Sequence, residues 1–178
     1  MKNHTIVPTL LILFSAFLIV GYNKLSSNQR DAGDKSLEAL QKVKASTEVG
    51  VNNATYAQLL INAKARTNNA DEVLPTDELK RELDAAMDAY ADAMQVWNEK
   101  AQKTYLDGFI YKDKACGSTG IALIPKYSLP TKKNFNSKGE KTAAGIVCGD
   151  GIDADIAIKL IWSAGETHLK KASELLHQ

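Results

Sequence analysis

The chain has 178 residues, with 22 Lys plus Arg against 21 Asp plus Glu and a formal charge of +1. That balance excludes recruitment of nucleic acid or of an anionic membrane surface by bulk charge. A composition 44% hydrophobic and 24% charged excludes the disordered regime, and the length suits one domain with one core.

From Ile6 to Tyr22 (IVPTLLILFSAFLIVGY) the chain runs 17 residues without a charge, after Lys2. That length lies at the boundary between a cleavable signal and a membrane span of about 17 to 25 apolar residues. No A-x-A-like site follows, because Ile19-Val20-Gly21 and Leu25-Ser26-Ser27 each put a bulky residue at the third position before the cut. Residues 1–30 therefore read as a signal-anchor or signal peptide, and 31–178 as a single helical domain. The expected localisation is membrane-anchored through the N-terminal helix, with the domain in the periplasm or outside the cell, or secreted if the signal is cleaved.

After the polar stretch Ser26 to Asp34, apolar residues recur at Leu37, Leu40, Val43, Thr47, Val51, Ala54, Leu60, Ile61 and Ala65, the spacing of a helix. Gly50 and Asn52-Asn53 weaken it, predicting a kink or two shorter helices. The helix should stop before Pro75. Thr76, followed by Asp77 and Glu78, signals a second start. Its stripe is Leu79, Leu83, Met87, Tyr90, Met94, Trp97, Ala101 and Tyr105, flanked by Ala85, Ala86, Ala89 and Ala93, so a neighbouring helix can approach closely. The short turn at Pro75 makes the two helices an antiparallel hairpin.

Between about 106 and 152 the pattern is lost. Seven glycines, both remaining prolines and both cysteines fall between Leu106 and Gly151. Cys116 and Cys148, isolated and without zinc spacing, read as one disulfide closing an irregular loop, worth about 3 to 4 kcal/mol in the chain-entropy model. Short apolar runs at Phe109–Tyr111, Ile121–Ile124 and Ile146–Val147 read as small strands or as segments tucked under the loop. A third amphipathic helix follows, capped by Asp153, with Ile156, Leu160 or Ile161, Ala164, Leu169, Ala172 and Leu176 inward. The expected fold class is thus mainly α: a helical hairpin plus a C-terminal helix in a three-helix, or four-helix-like, bundle with a long disulfide-closed loop.

Chemistry-bearing patterns are few. Glu174-Leu175-Leu176-His177 matches one E-x-x-H step of a di-iron site, but no second copy exists. His168 has no nucleophile beside it in sequence, and Met87 and Met94 read as core filler rather than haem ligands. The acidic turn from Asp150 to Asp155 departs from the EF-hand template. No cofactor and no metal are expected, and an enzyme is the least favoured class. Asp84, Asp88 and Asp92 form a like-charged row on the second helix, calling for a partner. The loop from Leu106 to Cys148 carries seven lysines and a net +4, against −3 from Thr76 to Tyr105; a solvated surface is the default reading, docking of the basic loop on the acidic helix would account for both charges, and equally Lys132-Lys133 with Tyr127 and Phe135 could meet an anionic glycan, lipid headgroup or protein. Lys126, Tyr127, Lys132, Lys133 and Phe135 are the candidate interaction surface. The leading expectation is an anchored or exported interaction or scaffold module with a protein partner or self-association and no nucleic acid. The alternative is a small-ligand sensor or carrier binding in the core between the alanines and Tyr90, Trp97 and Trp162.

Overall fold

A computed structural model describes residues 25–75, 77–102, 109–111, 120–131 and 151–178. Helix α1 (Ser27–Val49) starts inside the stretch that reads as polar linker. Ser26 and Gln29 form a capping box there: the Gln29 N–H donates to Ser26 Oγ at 3.3 Å and the Ser26 N–H to Gln29 Oε1 at 2.9 Å, satisfying two orphan donors reciprocally. Gly50, at φ 85°, ends α1 in a region that costs a residue with a Cβ. Asn52 then caps α2 (Asn53–Val73), accepting from the Thr55 N–H at 2.9 Å. The weakened centre of the first predicted helix is therefore a full break.

Leu74, extended at ψ 139°, meets the restriction imposed by Pro75. Helix α3 (Glu78–Gln102) follows, and Asp77 supplies a cap, its Oδ1 accepting from the Lys80 N–H at 3.1 Å; Thr76 lies outside the described residues. Strand β1 (Phe109–Tyr111), a 3-10 turn (Gly120–Ala122), the one-turn helix α4 (Leu123–Lys126), strand β2 (Gly151–Asp153) and helix α5 (Ala154–Leu176) complete the described chain. Asp153 caps α5 through the N–H groups of Asp155 and Ile156.

Neighbouring long helices run antiparallel all the way round. Ser36 Oγ lies 3.0 Å from Thr67 Oγ1 between α1 and α2. The Tyr56 hydroxyl donates to the Tyr90 carbonyl at 2.9 Å between α2 and α3. Lys171 pairs with Glu78 at 2.6 Å at one end of the α3–α5 pair and Lys100 with Asp155 at the other. Arg30 closes the ring by donating to the Leu176 carbonyl at 2.9 Å. The expected mainly helical bundle is observed, with four long helices among the described residues because Gly50 divides the first one.

One core cluster lies among the four helices, with Leu40, Val43, Tyr56, Leu83 and Leu176 sealed from solvent; each such large apolar side chain contributes about 1.5 to 3 kcal/mol. A second cluster lies between α3, α5 and the segment that connects them, and there Val96, Ile158 and Ile161 pack with Leu123, Leu129 and Ile152. β1 and β2 pair antiparallel, Phe109 opposite Asp153 and Tyr111 opposite Gly151. Phe109–Tyr111 is thus a strand, whereas Ile121–Ile124 lies in the 3-10 turn and α4.

The expected localisation needs correction. Among the described residues no helix is long and apolar enough to cross a membrane. The described long helices bury their inward residues against one another. The run Ile6–Tyr22 on which the anchor expectation rested lies outside the described residues, as do Cys116, Cys148, Ile146–Val147 and Tyr105.

Candidate functional site

Small residues set the geometry between α3 and α5. On the inner side Gly165 lies against α3 so closely that a Cβ there would fall 3.2 Å from Tyr90 Cζ and 3.3 Å from Ala89 Cβ. On the outer side Ala85 and Ala164 leave a cleft of about 390 Å³, whose remaining lining is Asp88, Lys126, Tyr127, Ser128 and His168.

The roof is the turn after α4. Buried Leu123 and Leu129 pin its two ends, and Asp92 on α3 holds its middle. Asp92 Oδ2 lies 2.7 Å from Lys126 Nζ and accepts the Tyr127 hydroxyl at 2.7 Å. Lys126 Nζ also sits 5.3 Å from the centre of the Tyr127 ring, within cation–π range. Burial, then the hydrogen bond to Asp92 and the charges of Asp92 and Asp88, push the Tyr127 hydroxyl well above its ordinary value. Ser128 adopts φ 50°, an uncommon conformation for a residue with a Cβ.

His168 forms the far wall. Its Nδ1 lies 2.6 Å from Glu82 Oε2, while Lys171 Nζ lies 3.0 Å from Glu82 Oε1. Burial alone would raise the Glu82 carboxyl, but the hydrogen bonds and charges of His168 and Lys171 outweigh it and hold the group below its ordinary value. Ionised Glu82 can only accept, so Nδ1 of His168 carries the hydrogen of this contact.

The acidic row of α3 divides into three roles. Asp84 faces Asp71 of α2, and burial, then the Asp71 charge, raise its carboxyl. Asp88 is exposed at the cleft and makes no hydrogen bond or ion pair among the described residues. Asp92 holds the turn. Of the basic loop, Lys126 and Tyr127 meet the acidic helix at Asp92, one of the arrangements its charge allowed, while Lys132, Lys133 and Phe135 lie outside the described residues.

Tyr90, Trp97 and Trp162, named for a core ligand, pack with Tyr56, whose ring centre lies 5.7 Å from Trp97 and 5.9 Å from Trp162. Trp162 Nε1 donates to the Tyr56 hydroxyl at 2.9 Å. Met87 is buried in the same core. Glu174 approaches Lys170 at 3.9 Å, and His177 is the C-cap of α5. Among the described residues no group of three or more His, Cys, Asp or Glu could hold a metal ion.

Ser128 and His168 share the cleft, and Glu82 orients the imidazole, which superficially resembles an acyl-transfer constellation. The turn offers nothing to stabilise an oxyanion, because the N–H groups of Tyr127, Ser128 and Leu129 already donate to Leu123, Pro125 and Ile124 carbonyls. Acyl transfer depends on such donors for several kcal/mol. Sequence reasoning missed this cleft, since Glu82 and His168 are 86 positions apart and no motif links them. Compared with family models, with curated proteins and with solved structures, the chain finds no match.

Proposed function

We propose that the protein is a helical-bundle interaction module whose recognition surface is carried by the connection between α3 and α5, at Lys126, Tyr127, Lys132, Lys133 and Phe135. The observation that carries this reading is the docking of the turn: Leu123, Leu129 and Asp92 fix Lys126 and Tyr127 on a rigid helical frame. Loops held in this way are where binding concentrates. In this reading a Cys116–Cys148 disulfide closes the loop. The register supports it, since Tyr111 opposite Gly151 brings together the points from which Cys116 and Cys148 are five and three residues away.

Removing the whole loop is a poor test, because Leu123 and Leu129 belong to the core. The triple variant Lys132→Ser, Lys133→Ser, Phe135→Ser leaves them in place. Crosslinking in the native cell, followed by mass spectrometry, should lose its specific partners with this variant while the unfolding midpoint stays unchanged. An unchanged partner set would refute the reading. Thiols that alkylate only after reduction are expected for the disulfide.

A further inference from the structure

We propose that Asp71 and Asp84 form a proton-sharing carboxyl pair that fastens the last turn of α2 to α3, a latch closed when the pair holds a proton and loosened when both groups are ionised. The inference is independent of the interaction-module reading. The last turn of α2 is held from two neighbouring helices. Lys80 Nζ of α3 donates to the Asp71 carbonyl at 3.0 Å, and Gln29 Nε2 of α1 donates to the Val73 carbonyl at 3.0 Å. Within the turn, the Leu74 N–H donates to the Ala70 carbonyl at 2.8 Å. The Asp71 side chain is 28% exposed, yet its Oδ1 is sealed from solvent. This oxygen lies 3.1 Å from Lys80 Nζ, an ion-pair distance, but accepts no hydrogen bond among the described residues; the ammonium's hydrogen bond goes to the Asp71 carbonyl instead. A sealed carboxylate oxygen without a donor is costly.

Asp84 of α3 faces it, in side-chain hydrogen-bonding contact with Asp71. Two carboxyl groups in such contact bond only through a proton on one of them, because ionised carboxylates accept and do not donate. Charge points the same way. The charges that bear on Asp84 are Asp71 and Lys64 of α2 and Lys80 on its own helix. Lys80, paired with Asp71, compensates one carboxylate, and Lys64 is exposed, so solvent screens it. Ionising both acids therefore leaves one negative charge uncompensated at a half-buried place. A single proton removes that charge and gives Asp71 Oδ1 its donor. Burial, then the Asp71 charge, hold the Asp84 carboxyl above its ordinary value of 3.8, so Asp84 is the member that takes the proton, as expected of like-charged groups that share a site. The latch is closed below the ordinary value and loosens as pH rises through the raised one.

The test follows the Asp84 carboxyl by carbon-13 NMR, and the amides of Glu72, Val73 and Leu74 by hydrogen exchange, on the full chain. Asp71→Asn removes the like charge, so the Asp84 titration midpoint should move down toward 3.8, stopping short of it because burial remains. Protection of the three amides, corrected for the base-catalysed intrinsic rate, should fall about fivefold as pH rises through the Asp84 midpoint, the scale of one interior hydrogen bond. Asp84→Asn offers Asp71 Oδ1 a permanent N–H donor. It should keep the protection of the acid form at every pH. Three results would each overturn the proposal: an Asp84 midpoint at 3.8; a raised midpoint that ignores Asp71→Asn, as when water rather than Asp84 is the donor to Oδ1; or a fall in protection that persists in Asp84→Asn.

Discussion

Tyr56 and Tyr90 are both fully buried, yet removing their hydroxyls should have opposite consequences. Tyr56 donates to the Tyr90 carbonyl and accepts from Trp162 Nε1, each at 2.9 Å. Tyr56→Phe removes two interior hydrogen bonds of about 1 kcal/mol each. It also leaves the Trp162 N–H without an acceptor, whereas the Tyr90 carbonyl lies within α3, where the helical ladder supplies a second donor. A loss of about 2 kcal/mol follows. The Tyr90 hydroxyl has no hydrogen-bond partner among the described residues, and burial pushes its ionisation well above the ordinary value. Tyr90→Phe therefore removes a desolvated polar group that gains nothing, and stability should stay within about 0.5 kcal/mol or rise. Urea denaturation followed by tryptophan fluorescence measures both. With a slope of about 2 kcal/mol per molar, Tyr56→Phe should lower the midpoint by about 1 M at unchanged slope. Equal losses from the two variants would refute the reasoning, since they would mean that the Tyr90 hydroxyl is engaged.

Glu82 is held below its ordinary value, so its contribution is present above the unfolded value near 4.5 and is lost as pH falls through the folded one. Glu82→Gln should cost about 1 kcal/mol at pH 7 and flatten the acid limb of stability below about pH 4.5, read as urea midpoint against pH. Asp84 has the opposite sign: its raised carboxyl destabilises the fold increasingly as pH rises through the unfolded value and the folded value above it. Asp84→Asn should raise the midpoint at pH 7 by the equivalent of about 0.5 kcal/mol, after allowance for solvent screening; a lower midpoint would contradict the assignment. At Gly165 a Cβ already comes within 3.2 Å of the Tyr90 ring. Gly165→Val should therefore cost about 2 kcal/mol despite the removal of a helical glycine, seen as a lowered Tm.

Large side chains made the helices legible, and small ones set the details that were not. On α3 the stripe Leu79, Leu83, Met87 and Tyr90 faces inward as its period implies. On α5 the large aliphatic residues misplace the phase: Ile156 and Leu160 are 38% and 40% exposed, while Ala157, Ile158, Ile161 and Gly165 face the core. Alanine and glycine carry little hydropathy, so a pattern weighted by hydropathy rotates toward the bulkier neighbours. The same holds on α2, where Ile61 is 64% exposed and Thr67 is buried against Ser36. A hydroxyl pair spanning two helices has no local signature. Opposite charge allowed the docking of the turn on α3 without deciding it, because net charge carries no knowledge of register. The cleft was illegible because its lining comes from three elements and its defining property is the absence of large side chains at Ala85 and Ala164.

That absence also links the rigid core to the cleft. Close approach of α3 and α5 needs small residues at their interface, and Gly165 against Ala89 provides it on the inner side, where Tyr90 fills the remaining space. Small residues on the outer side, Ala85 and Ala164, have no such filler and leave the cleft open below the turn. The four-helix core around Leu40, Tyr56 and Leu83 lies away from this outer face, and the turn is secured independently by Leu123, Leu129 and Asp92. Asp88 and Ser128 are exposed and His168 half-buried, so the polar lining can vary with little effect on the packed core. A helical frame whose stability is separated in this way from one polar, partly roofed cleft is suited to recognition, since the lining can follow a ligand without endangering the fold.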